Sequence, residues 1–327
     1  MKTPQTISCA LCLCLLLACA RNNNDDPYKD GRIHIAALNG PSMMSLGELY
    51  HAENNKADSK YTFTKLAAPD AVVAGLANGT FDAACLPANN AVILFNSGNS
   101  EIKVAAIIMT NILCLLQKAG TPAIASIADL SGKTIYLTGQ GSTPDMALRY
   151  LLEKNNINNV KMEFETEYGT IAAGIRIENS KYDYAILPHP FATVATLGEG
   201  AAVEAFNLSR EWKKVNPESD IITTVLLVRA SYLKNNKAAF EKFLEDYQQS
   251  IEFMTDNRNL DAASAYVVDM GIVPTIPLAK AALPKCGLTY IDKTKMKIML
   301  NDFYQVLYSQ NPASIGGKLP TEKFFYE

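Results

Sequence analysis

The chain has no surplus of basic residues. Its 30 Lys and Arg against 33 Asp and Glu leave a net charge of -3, with an isoelectric point near 5.8. With no positive footprint there is nothing to hold a phosphate backbone, so nucleic acid is not an expected partner. Histidine is scarce, at positions 34, 51 and 189 only; His-Glu-x-x-His does not occur, and no paired-Cys spacing occurs beyond the N-terminal apolar run. No metal or other cofactor is therefore expected. The motif Gly-x-Ser-x-Gly is missing, and the acids form no identifiable pair, so an enzyme is not expected either. The uncharged run from Ile7 to Ala18 is too short to span a bilayer. Hydrophobic content of 48% and charged content of 19% are those of an ordinary folded chain, and 327 residues suit two core-bearing units.

That short run does fit the apolar core of an export signal. Lys2 precedes it, and it ends in Leu16-Leu17-Ala18-Cys19, which resembles a bacterial lipoprotein signal. The resemblance implies a signal over residues 1–18 and lipid on Cys19, although Leu17 departs from the small residue usual there. A plain signal peptide or a short anchor is the alternative. Residues 19–30, polar and aperiodic (Ala20 onward reads ARNNNDDPYKD), suit a flexible tether. Cys9, Cys12, Cys14 and Cys19 belong to this segment, leaving Cys85, Cys114 and Cys286. Core packing is the first reading for these three, and a Cys85–Cys114 bridge is the alternative in an oxidising compartment.

What the chain does contain is a repeat. Gly31–Gly40 (GRIHIAALNG) aligns with Gly132–Gly141 (GKTIYLTGQG), 101 positions later. At the same offset Phe81-Asp82-Ala83-Ala84-Cys85-Leu86-Pro87 falls on Tyr182-Asp183-Tyr184-Ala185-Ile186-Leu187-Pro188. Between these anchors the register slips by two, Gly75 matching Gly174. Each copy reads as strand, Gly-rich turn, helix, strand and a short strand ending in Leu-Pro, which is one α/β unit with a parallel sheet. Ligands of such sheets sit beyond the carboxyl ends of the strands, so two facing copies predict a cleft. The lobe boundaries follow: residues 31–112 with 223–327 form lobe one, and 113–222 form lobe two. The β-branched run Ile221–Val228 carries the chain back, two crossings make a hinge, and the helical remainder is expected to back the sheet of lobe one. Pro41 is expected to start a helix through about Ala52, and Trp212, the only tryptophan, to anchor a surface helix.

The segments Ala36-Ala37-Leu38-Asn39-Gly40-Pro41, Phe81 to Asn89, Asp129 to Ile135, Gly139-Gln140-Gly141-Ser142-Thr143-Pro144 and Ala185 to Phe191 carry a family resemblance. In order and spacing the chain resembles solute-binding lipoproteins of ABC importers, in the group that takes sulfonates, taurine, nitrate and thiamine precursors. The resemblance implies a two-lobed, periplasmic-binding-protein-like α/β fold of type II with a hinge and an interlobe cleft. It also implies a monomer, lipid-anchored outside a bacterial membrane, that delivers a small molecule to permease and ATPase subunits. Enzymes on the same fold, of the menaquinone pathway or of thiamine-precursor synthesis, are the competing reading. Export argues against both, and the Cys-rich run of the synthase group is absent.

Four loops would surround the cleft. From the first copy come Asn39, Gly40, Pro41, Ser42 and Met43, with Asn89 and Asn90 after Leu86-Pro87. From the second come Gly141, Ser142 and Thr143, with Tyr168, His189 and Phe191. Gly permits close backbone approach, while Ser or Thr at a helix start offers hydroxyls and free N–H groups. Capping by Thr143 alone would explain the same residue types. His189 beside Phe191 reads as a donor over an aromatic floor, or as a satisfied structural histidine. Met43 and Met44 read as core, or as polarizable wall. Asp145, in the first helical turn, occupies part of the helix field and disfavours a second anion there. Together these residues favour a neutral heteroaromatic ligand, such as a pyrimidine-type vitamin precursor, over a sulfonate or nitrate.

Overall fold

The computed structural model describes residues 31–98 and 101–327; the expected signal, Cys19 and the whole tether lie outside the described residues. Among the described residues eleven strands build two sheets. β1 (Ile33–Leu38), β2 (Tyr61–Leu66), β3 (Ala83–Pro87) and β4 (Ile102–Thr110) come first. Then follow β5 (Leu113–Gln117), β6 (Thr134–Thr138), β7 (Lys161–Glu165), β8 (Tyr184–Pro188) and β9 (Val203–Asn207), and finally β10 (Ile222–Arg229) and β11 (Leu288–Asp292).

One sheet has the order β2-β1-β3-β10-β4-β11 and the other β7-β6-β8-β5-β9. β1 runs parallel to β2 and β3, as β6 does to β7 and β8. In each sheet the strand that follows a crossing runs antiparallel to its neighbours: β10 between β3 and β4, and β5 between β8 and β9. β11 is antiparallel to β4 at the edge of the first sheet. Each crossing thus delivers an antiparallel strand to the same position in the sheet it enters. Helices cover both faces, so the central strands read as continuous apolar runs rather than alternating ones; β5 is buried along its whole length.

The repeat is visible as packing. A Cβ on Gly75 would stand 2.2 Å from the Phe81 ring, and one on Gly174 would stand 2.3 Å from the Tyr182 ring. In both copies an aromatic ring just before the third strand packs directly against a helical glycine, which is why these pairs align despite the two-residue slip.

At the first crossing Asn111 adopts φ 59°, a left-handed conformation that Asn tolerates. Thr110 donates its N–H to the Gly287 carbonyl at 3.0 Å, and a Cβ on Gly287 would fall 1.6 Å from the Thr110 oxygen. Only glycine fits there. Cys85, Cys114 and Cys286 are free and buried in three different apolar clusters, so the Cys85–Cys114 bridge is not formed.

Three local expectations are corrected. The single helix from Pro41 to about Ala52 is two, Pro41–Met44 and Gly47–Glu53, and Ser45 between them gives its hydroxyl to the Ser42 carbonyl at 2.7 Å. The C-terminal helices do not serve lobe one alone. The Phe303 ring of the helix Lys293–Gln310 sits 6.1 Å from Trp212, and Lys285 pairs with Glu204 of β9 at 2.9 Å. Trp212 anchors no surface helix: it is fully buried, with Tyr150 against it at 4.5 Å. No helix among the described residues is long and apolar enough to cross a membrane.

Candidate functional site

Where the carboxyl ends of β1, β3, β6 and β8 face one another lies a cavity of about 670 Å³, within the ordinary range for a small-molecule site. The two copies contribute matching loops. Asn39, Pro41 and Ser42 line it after β1, and Gly139, Ser142, Thr143 and Pro144 after β6. Pro87, Asn89 and Asn90 line it after β3, and Pro188 and Phe191 after β8. The crossing segments supply Ile112, Leu113, Thr223 and Thr224, so the hinge itself forms part of the wall.

The residues named from sequence divide into two sets. Asn39, Pro41, Ser42, Asn89, Asn90, Ser142, Thr143, Tyr168 and Phe191 line the cavity; Gly40, Met43, Gly141 and His189 do not. Gly40 serves the turn: at φ 119° only glycine is at ease, and its carbonyl accepts from the Met43 and Met44 N–H groups. Met43 is 2% exposed and packs in the core beneath β1, and Met44 is buried in the neighbouring cluster, so neither is a wall residue. Gly141 gives its N–H to Asp145 Oδ2 at 2.8 Å, and Arg149 Nε meets Asp145 Oδ1 at 2.7 Å. The buried Asp145 carboxylate therefore points back into its own loop with a paired charge. Its repulsion of an anion is weaker than the sequence implied.

His189 is 1% exposed and sits behind the wall. Its Nδ1 lies 2.7 Å from Thr193 Oγ1, and its Nε2 lies 3.7 Å from Cys114 Sγ and 3.9 Å from Glu204 Oε2. Burial lowers its pKa to about 4 against the attraction of Glu204, with Lys285 lowering it further. The imidazole is neutral at pH 7. Burial also pushes the Cys114 thiol well above its ordinary range, and the Glu204 charge adds to this.

Thr143 is the most informative side chain on the wall. It opens the 12-residue helix Thr143–Lys154, where the first N–H groups have no intrahelical acceptor. Its residue is 5% exposed, and its Oγ1 is buried without a hydrogen-bond partner. The capping role that sequence allowed it is not made, since Ser142 holds the N-cap position. An orphaned buried hydroxyl is costly unless something pairs with it. Opposite, the Tyr168 and Phe191 rings lie 5.4 Å apart at 35°, and burial raises the Tyr168 phenol pKa, offset in part by a hydrogen bond with the Thr138 side chain. Among the lining residues only Glu167 and Tyr168 are ionisable, and none is Lys, Arg, His or Cys.

Solved structures share this fold at low sequence identity. An ABC transporter protein from Parabacteroides distasonis matches with a TM-score of 0.76 at 22% identity, covering 91% of this chain and 99% of that one. The periplasmic aliphatic sulphonate-binding protein of Escherichia coli matches at 0.71 and 15%, covering 91% and 92%. The periplasmic nitrate-binding protein of Synechocystis matches at 0.56 and 11%, covering 81% and 74%. No curated protein sequence matches significantly. Residues 62–259, more than half of the chain, match the family model described as NMT1/THI5 like, and the chain belongs to that family.

Proposed function

We propose that this protein is the solute-capturing component of an ABC importer, holding one small organic molecule between its lobes and presenting it to a permease. The observation that carries this reading is the interlobe cavity lined by matching loops of the two copies. Family membership and the names of the structural neighbours support it. The lining speaks against catalysis, since it holds neither a nucleophile–base pair nor two carboxylates. Export and a lipid on Cys19 complete the reading. Fatty-acid labelling of wild type and Cys19→Ala tests the anchor, and equal label in both would refute it.

For the ligand we infer an uncharged, flat, polar-edged molecule of the pyrimidine type. With no cation on the wall, a full negative charge would have no ionic counterpart there. Tyr168 and Phe191 offer ring faces, while Asn89, Asn90, Ser42 and Thr143 offer hydrogen-bonding edges. One observation favours a sulfonate instead: the helix start at Thr143 opens on the cavity while Asp145 is already paired. Thermal-shift screening followed by calorimetry, with pyrimidines in one set and taurine, alkanesulfonates and nitrate in the other, decides. A ligand at a hundred times its Kd should stabilise the fold by about 2.7 kcal/mol. Micromolar binding of a simple sulfonate or nitrate would overturn the uncharged-ligand reading, and silence of both sets would count against solute capture.

A further inference from the structure

Behind the wall of the cleft stand Cys114, His189 and Glu204, whose ligand atoms all lie within 4.8 Å of one another. Among the described residues this is the one cluster of its kind. We propose that these three side chains form a binding site for a zinc-class divalent cation in lobe two, independent of the solute cleft.

The donor set is thiol, imidazole and carboxylate, which suits a borderline-soft cation and poorly suits magnesium or calcium. Zinc bonds of about 2.0 to 2.3 Å imply ligand–ligand edges of roughly 3.3 to 3.6 Å. The observed separations of 3.7 Å (Cys114 to His189) and 3.9 Å (His189 to Glu204) are wider, and Cys114 to Glu204 is bounded at 4.8 Å. Small side-chain adjustments would close the set. Its backbone is already fixed, because Cys114 on β5 pairs with Leu187 on β8 and with Asn207 on β9. The three donors thus come from, or immediately follow, three adjacent strands.

His189 is oriented as metal-binding histidines are. Nδ1 lies 2.7 Å from the buried Thr193 Oγ1; in the tautomer where Nδ1–H donates to it, Nε2 keeps its lone pair towards Cys114 and Glu204. Glu204, with 29% of its side chain exposed, marks the route from solvent. Lys285 holds the same Glu204 oxygen at 2.9 Å and would have to yield it. On binding, the Cys114 thiol loses its proton to solvent. The cation then faces one thiolate and one carboxylate, its charge is balanced, and a fourth position is left for water.

Titration of the metal-free full chain with zinc chloride should show one equivalent bound, with about one proton released per metal near neutral pH. Cobalt(II) chloride should give a near-ultraviolet thiolate charge-transfer band that disappears in Cys114→Ser and persists in Cys286→Ser. Thr193→Val should weaken zinc binding by about 10- to 100-fold, as loss of an outer-shell partner does. Absence of the band in wild type, or its survival in Cys114→Ser, would overturn the proposal. If the Cys114 and His189 variants fail to fold, the partly exposed Glu204→Gln carries the test. Reduced zinc affinity supports the site, and unchanged affinity refutes it.

Discussion

Thr143 carries much of the functional reading because the residue lines the cavity and its hydroxyl, buried just behind the surface, bonds to nothing. Replacing it by Val should leave the free protein equally or slightly more stable, since an unpaired polar group is exchanged for an apolar isostere. Ligand affinity should fall about tenfold, the usual consequence of leaving a buried polar partner unmatched. Paired thermal melts and calorimetry check both halves; lost stability with unchanged affinity would assign Thr143 to the scaffold. The buried thiols make a second expectation. Burial pushes Cys85 and Cys286 up from 9.0 to about 12, so the fold holds both protonated where the unfolded chain would ionise them. Their contribution is present below pH 9 and is lost as pH rises towards 12, at about 1.4 kcal/mol per unit for each thiol. Urea melts from pH 8 to 11 should show falling stability, with a shallower fall in Cys286→Ala. The loop residues at strand ends and helix starts were legible in the sequence, because glycine, proline and hydroxyl side chains mark such places. The inward or outward turn of Met43 and His189 was not, since it depends on one residue of phase and on which strand lies behind. Cys114, His189 and Glu204 are brought together only by the β8-β5-β9 order, for which no local spacing exists.

At the scale of elements, the repeat allowed β1, β3, β6 and β8 to be placed within a residue or so, because each is an apolar run bounded by glycine, aspartate or proline. β9 and β11 escaped notice. Val203–Asn207 and Leu288–Asp292 are short, and no residue of β11 is fully buried, so they lack that apolar signature. The glycine pairs show how tightly the anchored part is built. Gly75→Ala and Gly174→Ala should each destabilise by about 1 to 3 kcal/mol, because the new Cβ must displace a packed ring. Gly169→Ala, also in a helix but where a Cβ would meet nothing within 4 Å, serves as the control. Denaturant midpoints measure the difference. Equal effects at Gly75 and Gly169 would show that the ring contact is not the cause. The helix Lys293–Gln310 teaches the opposite lesson. Its periodicity predicted a helix but not its second partner, because the ring that meets Phe303 belongs to a helix far away in sequence.

For the whole molecule, the two crossings at Thr110–Leu113 and Asp220–Ile222 set the axis about which the lobes can turn. Trp212 lies in the same apolar cluster as the hinge residues Ile112, Ile221 and Ile222, between Tyr150 of lobe two and Phe303 of the C-terminal helix. Any closure that rotates lobe two must shift Trp212 against Phe303. It is also the only tryptophan in the chain. The surface pair Lys285–Glu204 is half exposed on the lysine side and should matter little, about 0 to 1 kcal/mol. The packing around Trp212 matters more: Trp212→Ala should cost about 3 to 5 kcal/mol of stability, as large aromatic truncations in a core do. Ligand that bridges the lobes favours the closed population by its extra contacts there and by nothing else. Saturating ligand should therefore reduce the radius of gyration in solution scattering and, along the same titration, change the tryptophan emission. If binding is saturated by calorimetry while both signals stay constant, the lobes do not close on their ligand, and the cavity is a fixed pocket rather than a clamp.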